Sequence, residues 1–415
     1  MSWIASIGAG LLWAAMPGLV MAQDGPITIF AGRVIDGQGA VHRNATVVVD
    51  RGRILRIEPR KLDAPSYDFP RATIVPGLID LHVHPTWYIN RKGRLHLSED
   101  GDSPATATLA AAANLYRTLM AGFTTVASLG APEDLDIRDA IAAGGMPGPR
   151  LLTSLAPITD SALTPAQLRG QVRERVAAGA DLIKVFASAR LADGGEPTFR
   201  PEQLEAICHE ARSAGVRTFV HAHRDESIHA AVEAGCDGIE HGLFATRASM
   251  DLMASKEASF GPQCSLVFRN YLDNRRWFHG LPGMGDDFFA AMDRAAPLAI
   301  GVVREAAGVP SLRLGFGTDA FAGSHGRNAD DLVCRVRQAG QRPMDAILSA
   351  TSVNARILGL DKEIGRLAPG YQADLVVLDG NPLDDITAVQ RVLVVMRGGR
   401  VYRHDPTSSD FRAFR

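Results

Sequence analysis

The chain has 415 residues, of which 46% are hydrophobic and 22% are charged, and its formal net charge is −2. This composition is typical of a globular protein with one large domain and a smaller one. The near-neutral balance excludes the basic field that nucleic acid binding needs, and no charge run indicates a polyelectrolyte partner.

The first 22 residues have the pattern of a secretory signal. Residues 2–21 carry no charged side chain, and the stretch from Ile4 to Val20 is largely apolar. The pattern predicts cleavage after Ala22 and an exported protein, periplasmic or secreted, whose mature chain has no membrane attachment. Because no Lys or Arg precedes the apolar run, and because the run approaches spanning length, an uncleaved N-terminal anchor and no export are the alternatives.

Strand patterns flank the chain at both ends. Short β-branched runs separated by Gly-containing turns occur in residues 23–72 and again in residues 363–415. Neither part has enough apolar residues for a core of its own, so together they predict one small β-sandwich. The predicted strands are 27–30, 45–49, 53–57, 373–378, 392–396 and 400–402.

Between these ends, residues 73–362 alternate between strand and helix patterns. Residues 201–215 and 226–235, for example, have helical apolar spacing and end in Gly. Eight such units predict a (β/α)₈ TIM barrel, since a doubly wound open sheet would show a Gly-rich phosphate turn after its first strand. The predicted strands are 74–83, 122–129, 149–155, 181–186, 216–222, 238–241, 258–265 and 313–319.

Four cysteines are scattered through the predicted barrel without CxxC spacing: Cys208, Cys236, Cys264 and Cys334. In a chain of this length neither a disulfide framework nor a thiolate metal site is expected. The sequence therefore predicts buried free thiols.

Polar residues collect at the carboxyl ends of the predicted strands, where a barrel places its chemistry. Side chains alternate along a strand, so the imidazoles of a His-x-His pair point the same way. Several imidazoles and a carboxylate favour a divalent transition metal, and Zn²⁺ suits such ligands. The strand-end residues are His82, His84, Lys184, His221, His223, His241 and Asp319.

Lys184 lies within the apolar run 182–186, where an unpaired ammonium would be costly to bury. A neutral amine, however, reacts with CO2 to give a carbamate, an anion whose two oxygens can bridge two metals. The alternative is a lysine whose ammonium reaches solvent past the strand end.

Several motifs in order resemble the metal-dependent amidohydrolase superfamily, with the imidazolonepropionase-like and prolidase-like enzymes as the nearest branch. The resemblance covers nearly all of the mature chain and implies a (β/α)₈ barrel with a β-sandwich from both chain ends. The motifs are VPGLIDLHVHP (75–85), GFTTVASLG (122–130), GADLIKV (179–185), AGCDGIEHG (234–242), GTDA (317–320) and GRLAPGYQADLVVLDGNPL (365–383).

The resemblance also implies a metal site, with two Zn²⁺ or other divalent transition metals and CO2 bound as a lysine carbamate. His82, His84 and Asp319 would hold one ion, His221 and His241 the second, and carboxylated Lys184 would bridge both together with a hydroxide. His223 lies on the same face as His221 and is the alternative ligand, or otherwise a substrate-binding residue.

The implied reaction is hydrolysis of a small amide: a dipeptide, an N-acyl amino acid or a cyclic amide. The bridging hydroxide would attack the carbonyl, and Asp319 would transfer its proton to the departing nitrogen. The alternatives are a mononuclear imidazolonepropionase-like hydrolase in which Lys184 is structural, and an exported metal-binding protein without catalysis. By analogy with relatives, a homo-oligomer is expected.

The loops that would select a substrate depart from the family pattern. Residues 156–160 replace a Gly-rich, His-containing segment, and Ala187-Ser188-Ala189-Arg190 replaces a common Ser-Gly-Gly. The aromatic and cationic segment 268–279 is expected either to cover the site and meet an acidic or aromatic substrate, or to form a surface excursion or oligomer contact. His325, just past Asp319, is a predicted substrate-binding residue.

Overall fold

Fifteen strands and eleven α-helices make up residues 25–405, which are the residues described by the computed structural model. The predicted signal segment 1–22 lies outside them. The strands are β1 Ile27–Ile35, β2 Val41–Asp50, β3 Arg53–Glu58, β4 Tyr67–Pro76, β5 Leu78–Val83, β6 Phe123–Ser128, β7 Arg150–Thr153, β8 Leu182–Phe186, β9 Arg217–Ala222, β10 Gly238–His241, β11 Ser259–Gly261, β12 Arg313–Leu314, β13 Leu375–Leu378, β14 Val392–Arg397 and β15 Arg400–His404.

The two chain ends meet in one seven-stranded sheet of order β15-β14-β13-β4-β1-β2-β3. The chain ends join where β4 and β13 pair antiparallel, with Val75 opposite Val376 and Ile74 opposite Val377. Ile74 and Val377 belong to a buried cluster drawn from both ends of the chain. Burial of these β-branched side chains explains why neither end needs a core of its own.

The central strands are parallel and form two groups, β5-β6-β7 and β8-β9-β10-β11-β12. Parallel bridges link the groups on both sides, between Ile158 and Val185 and between Val83 and Ala320. Sequence and structure therefore agree on a mixed α/β architecture with eight parallel strands, and the carboxyl ends of these strands lie on one side of the sheets.

One predicted strand, 74–83, is two strands in the structure, β4 and β5, separated at Gly77. A Cβ at Gly77 would lie only 2.0 Å from Oγ1 of Thr124, so a side chain cannot be accommodated there. The close approach lets the chain leave the seven-stranded sheet and enter the parallel one. The predicted strand 313–319 is also shorter, since β12 ends at Leu314, and Asp319 has a φ of 54°, outside the extended conformation.

Helices follow most of the parallel strands, and α4 and α5 confirm the predicted helical segments 201–215 and 226–235. No described helix is long and apolar enough to cross a membrane. The helices are α1 Pro104–Met120, α2 Asp134–Ala142, α3 Pro165–Ala177, α4 Pro201–Ser213, α5 Asp225–Glu233, α6 Arg247–Ser255, α7 Leu266–Asp273, α8 Asp286–Ala307, α9 Ala329–Arg337, α10 Pro343–Leu348 and α11 Asn354–Ile357.

The prediction of four free thiols is wrong. Cys208 is bonded to Cys236 and Cys264 to Cys334, with Cα–Cα distances of 5.0 and 6.0 Å. All four residues are buried, as predicted. The pairs are separated by 28 and 70 residues along the chain, so only the packing of helices against neighbouring turns brings them together.

Candidate metal centre and active-site cavity

The predicted strand-end residues converge at the carboxyl ends of the parallel strands. Six of them line one cavity of about 200 Å³, and Lys184 is buried beside the same histidines. The six are His82, His84, His221, His223, His241 and Asp319.

Three residues form the tightest group. Ligand atoms of His82, His241 and Asp319 all lie within 4.8 Å of one another. His82 Nε2 is 3.5 Å and His84 Nε2 is 3.1 Å from Asp319 Oδ1. Among the described residues, these three are the ones that form a group able to hold a metal ion. His241 thus lies with His82 and Asp319, whereas the resemblance assigns it to a second ion.

Two buried acceptors orient the imidazoles of this group. With Nδ1 protonated, His82 donates to Oε2 of Glu240 at 2.7 Å and His241 donates to Oε1 of Gln263 at 2.8 Å. Gln263 Nε2 in turn donates to the carbonyl of Gly261, which fixes the orientation of its amide. Both histidines therefore keep a free Nε2 lone pair, as metal ligands do.

A third polar network joins β5, which carries His82, to the segment after β12 that carries Asp319. The carboxylate of Asp80 accepts hydrogen bonds from the backbone N–H groups of His82 and Thr318, the Thr318 hydroxyl and the Asn328 amide. Sequence reasoning gave Asp80, Glu240 and Gln263 no role. The signal for Asp80 was available, since it has the same strand parity as His82 and lies within an apolar run.

Strained backbone occurs at the same place. His241 and Asp319 are non-glycine residues with φ angles of 72° and 54°. Such conformations cost about 1–3 kcal/mol each and are concentrated at functional sites, where the surrounding structure holds them. The networks around Asp80 and Gln263 supply that support here.

His325 contributes from behind the site rather than from within it. It is not among the residues that line the cavity, and its Nε2–H donates to the carbonyl oxygen of His84 at 3.2 Å. This contact positions the backbone of His84, whose ring stacks on Trp87 with centroids 5.1 Å apart. Its role in substrate binding stays a prediction.

His221 and His223 both line the cavity, as the sequence predicted, and their rings meet edge to face at 4.6 Å. His221 is the closer of the two to His241, with ring centroids 4.4 Å apart against 5.2 Å for His223. Nδ1 of His223 is buried and has no hydrogen-bond partner among the described residues. Nε2 of His221 donates to the carbonyl of Ala189 at 3.4 Å, so the two imidazoles differ in which nitrogen is free, and the choice between them stays open.

Lys184 is 1% exposed, and its Nζ has no hydrogen-bond partner within residues 25–405. This excludes the alternative in which the ammonium reaches solvent. Burial lowers the pKa of Lys184 to about 8, although the charges of Glu240 and Asp319 act in the opposite direction. A neutral amine is consequently accessible near neutral pH, and a neutral amine is the form that CO2 modifies.

Burial keeps His82, His223 and His241 neutral. Burial, and then the positive charge of Lys184 and of neighbouring imidazoles, lowers the pKa of His82 and of His241 well below the usual value. Burial, followed by the charge of Lys184, likewise lowers the pKa of His223 to about 4. Neutral imidazoles with free lone pairs, a carboxylate and an orphaned buried amine form a donor set that fits divalent transition metals.

A second part of the cavity wall is aromatic. We call this part the aromatic chamber and define it by Phe186, Phe268, Tyr271, Phe288 and Phe321. Tyr271 is central to it, with ring centroids 4.9 Å from Phe288 and 4.7 Å from Phe321.

The segment 268–279 was expected to cover the site with aromatic and cationic side chains, and only aromatic side chains of the segment reach the cavity. Phe268 and Tyr271 line the cavity, whereas Arg269, Arg275 and Arg276 do not. Arg269 pairs with Asp273 and Arg275 with Asp286 on the surface. The cation at the cavity is instead Arg190, which sequence reasoning noted only as part of a departing loop.

Comparison with known proteins gives concordant similarities. A model of the amidohydrolase family matches residues 73–402. An ochratoxinase from Aspergillus niger is 26% identical over 431 residues, which span 90% of this chain and 86% of that protein. An imidazolonepropionase from Anaeromyxobacter dehalogenans is 25% identical over 446 residues, which span 97% of this chain and 93% of that protein.

Among solved structures, a Xaa-Pro dipeptidase with bound methionine in its active site aligns with a TM-score of 0.82 at 27% sequence identity. The alignment covers 91% of this chain and 100% of that one. This likeness implies a TIM-barrel-like α/β fold for the chain.

Proposed function

Because this chain belongs to the amidohydrolase family, within its imidazolonepropionase-like and prolidase-like branch, we propose that it is an exported, metal-dependent hydrolase of a small amide. The chain is a hydrolase acting on carbon–nitrogen bonds. Its substrates in this proposal are N-acyl amino acids, dipeptides or cyclic amides.

The observation that carries the proposal is the convergence of His82, His241 and Asp319 beside a buried lysine whose Nζ has no hydrogen-bond partner among the described residues. We propose that His82, His84 and Asp319 hold one Zn²⁺ or related ion and that His221 and His241 hold a second. A carbamate on Lys184 would lie between the two ions. Such ions, when bound, lower the pKa of water and polarise an amide carbonyl.

Asp319 is the acid–base residue of this proposal. Its carboxylate lines the cavity beside the imidazoles of His82 and His84. It would accept the proton of the attacking water and deliver it to the leaving nitrogen, so that water adds to the carbonyl carbon as the C–N bond breaks. The Nδ1 contacts to Glu240 and Gln263 would keep the imidazoles in place during these steps.

The closed barrel, the accompanying sandwich and the export of the protein belong to the same proposal. The bridges at Val83 and Ile158 support closure of the parallel strands into a (β/α)₈ barrel, with the strands from both chain ends as the accompanying sandwich. Export after cleavage of residues 1–22 is supported by the two disulfides, since disulfides persist mainly in oxidising compartments.

One experiment tests the proposal directly. Zinc-loaded protein is assayed against N-acyl amino acids, dipeptides, cyclic amides, lactones and phosphotriesters. We expect turnover of at least one amide class that a chelator abolishes and zinc restores. Metal-loaded protein that is inert on every amide would favour the non-catalytic metal-binding alternative.

The mononuclear alternative is favoured by a specific observation, since only His82, His241 and Asp319 group tightly among the described residues. Metal analysis of Lys184→Ala separates the binuclear site from the mononuclear one. Loss of one of two bound ions supports the carbamate bridge, whereas an unchanged single ion supports a structural lysine. Lys256→Ala is the control, because Lys256 lies on the surface and pairs with Glu233.

A further inference from the structure

The cavity offers a substrate two different environments besides the metal ligands. The aromatic chamber presents rings from four parts of the chain, and a single permanent cation, Arg190, lies at its border. No other Lys or Arg in the described part of the chain lines this cavity. A substrate that fills the site would therefore combine a large apolar group with one negative charge.

Arg190 is held in place by an ordered loop. The backbone N–H of Ala189 donates to the carbonyl of Glu196, and that of Gly195 donates to the carbonyl of Arg190 itself. The guanidinium lies against the backbone at Gly283, where a Cβ would be 2.9 Å from Nη2. Arg190 belongs to the loop Ala187-Ser188-Ala189-Arg190, which departs from the family pattern in the sequence.

The present partner of Arg190 is weak enough to be supplemented or displaced. Arg190 contacts Asp193 through Nε at 2.7 Å and Nη2 at 3.2 Å, and both side chains are about half exposed, at 53% and 49%. Exposed pairs of this kind contribute about 0–1 kcal/mol. Nη1 has no part in this pair, so the guanidinium can also bind a carboxylate from the substrate.

The cavity has no spare carboxylate among the described residues that could pair with a cationic substrate group. Asp319 is the one carboxylate that lines it within residues 25–405, and it lies 3.1 Å from Nε2 of His84. A substrate with a free α-ammonium would find no partner for that charge in the aromatic chamber. Burying an unpaired cation there is costly, which disfavours dipeptides with a free amino terminus.

We propose, on the premise of the proposed function, that the site hydrolyses N-acyl amino acids with a large aromatic or apolar side chain. Arg190 binds their carboxylate, and the aromatic chamber receives their side chain. Water adds to the acyl carbon, the C–N bond breaks, and the proton from water goes to the amine nitrogen. The products are a carboxylic acid and the free amino acid.

The test compares N-acetyl-L-phenylalanine with N-acetylphenethylamine, which lacks only the carboxylate. We expect Arg190→Met to lower kcat/KM for N-acetyl-L-phenylalanine by about 10–100-fold, as the loss of a charge-assisted contact does. The value for N-acetylphenethylamine should stay within about twofold. Arg190→Lys should recover part of the loss, because Lys keeps the charge without the planar fork.

Arg342→Met is the matched control. Arg342 makes the same two-contact pair with a residue three positions on, Asp345, and does not line the cavity. Equal losses on both substrates in Arg190→Met, or no loss on either, would overturn the assignment of the carboxylate. Faster turnover of L-alanyl-L-phenylalanine than of N-acetyl-L-phenylalanine would overturn the exclusion of free amino termini.

A binding measurement keeps this inference separate from the proposed function. N-methanesulfonyl-L-phenylalanine is a sulfonamide that resists hydrolysis, so calorimetry reports its affinity whether or not the protein turns over any amide. Binding that weakens about tenfold or more in Arg190→Met, but not in Arg342→Met, supports the inference even if every amide proves inert. Unchanged affinity in Arg190→Met contradicts it even if amides are hydrolysed.

Discussion

At one end of the cavity each imidazole of the tightest group is held by a directed hydrogen bond, from His82 to Glu240 and from His241 to Gln263. At the other end Tyr271 and Phe288 are held by ring packing, and the one cation contacts an exposed carboxylate. His82, Glu240 and His241 of the first end lie on strands, whereas Phe268, Tyr271 and Phe288 of the second lie on helices α7 and α8.

This difference indicates that catalysis depends on the histidine end and substrate selectivity on the aromatic end. Directed bonds to buried acceptors fix an atom's position and tautomer, which ligands and acid–base groups require. Packed rings fix only a volume and a polarity, which is sufficient to choose a substrate. We therefore expect changes at the histidine end to abolish activity and changes at the aromatic end to redirect it.

The largest effect is expected at Asp319. Asp319→Asn removes the proposed proton acceptor, and the loss of general acid–base catalysis should lower kcat by about 10²–10⁴-fold. Steady-state kinetics on the best amide substrate measures it, alongside metal content. Asp251→Asn is the control, since Asp251 is an exposed partner of Arg247. A variant that keeps wild-type kcat would remove Asp319 from the mechanism.

The second largest effect is expected from substitution of Glu240. It is 1% exposed and its carboxyl group lies 2.7 Å from Nδ1 of His82, so Glu240→Gln replaces that carboxyl group with an amide of the same shape. Loss of such a contact typically weakens metal binding by about 10–100-fold. Chelator competition with zinc measures this, with the exposed Glu233→Gln for comparison. Unaltered zinc affinity would mean that His82 does not depend on Glu240 for its orientation.

A smaller and selective effect is expected in the aromatic chamber. Phe268→Leu reduces the apolar volume that receives the substrate side chain. The ratio of kcat/KM for N-acetyl-L-phenylalanine to that for N-acetyl-L-alanine should fall about tenfold, the discrimination that a few methylenes provide. Phe244→Leu, at an exposed aromatic residue, should leave the ratio unchanged. An equal drop for both substrates would assign Phe268 to the catalytic end instead.

The smallest effect is expected at Arg269. Its guanidinium pairs with Asp273 on the surface, away from the cavity. Arg269→Met should therefore change kcat/KM by less than about twofold, as surface substitutions usually do. Kinetics on an acidic and a neutral amide tests this. A loss confined to the acidic substrate would show that segment 268–279 reaches the site with its cations as well as its rings.

Much of the histidine end could be predicted from the sequence, since His82 and His84 share a strand parity and Asp319 follows a strand pattern. Strands 216–222 and 238–241 match β9 and β10 to within one residue. These features depend on alternation between near neighbours in the chain. The break at Gly77 was missed because it depends on Thr124, which is distant in sequence.

The sequence by itself determined the α/β alternation and the family, and it supplied the candidate metal ligands, because periodicity and motif spacing are local properties. Tertiary structure alone decided the disulfide pairs, the partners Glu240 and Gln263, and which cation of the chain reaches the cavity. The physical reason is that these features require atoms from distant segments to lie within a few ångströms of one another. Only the packing of the whole chain sets such distances.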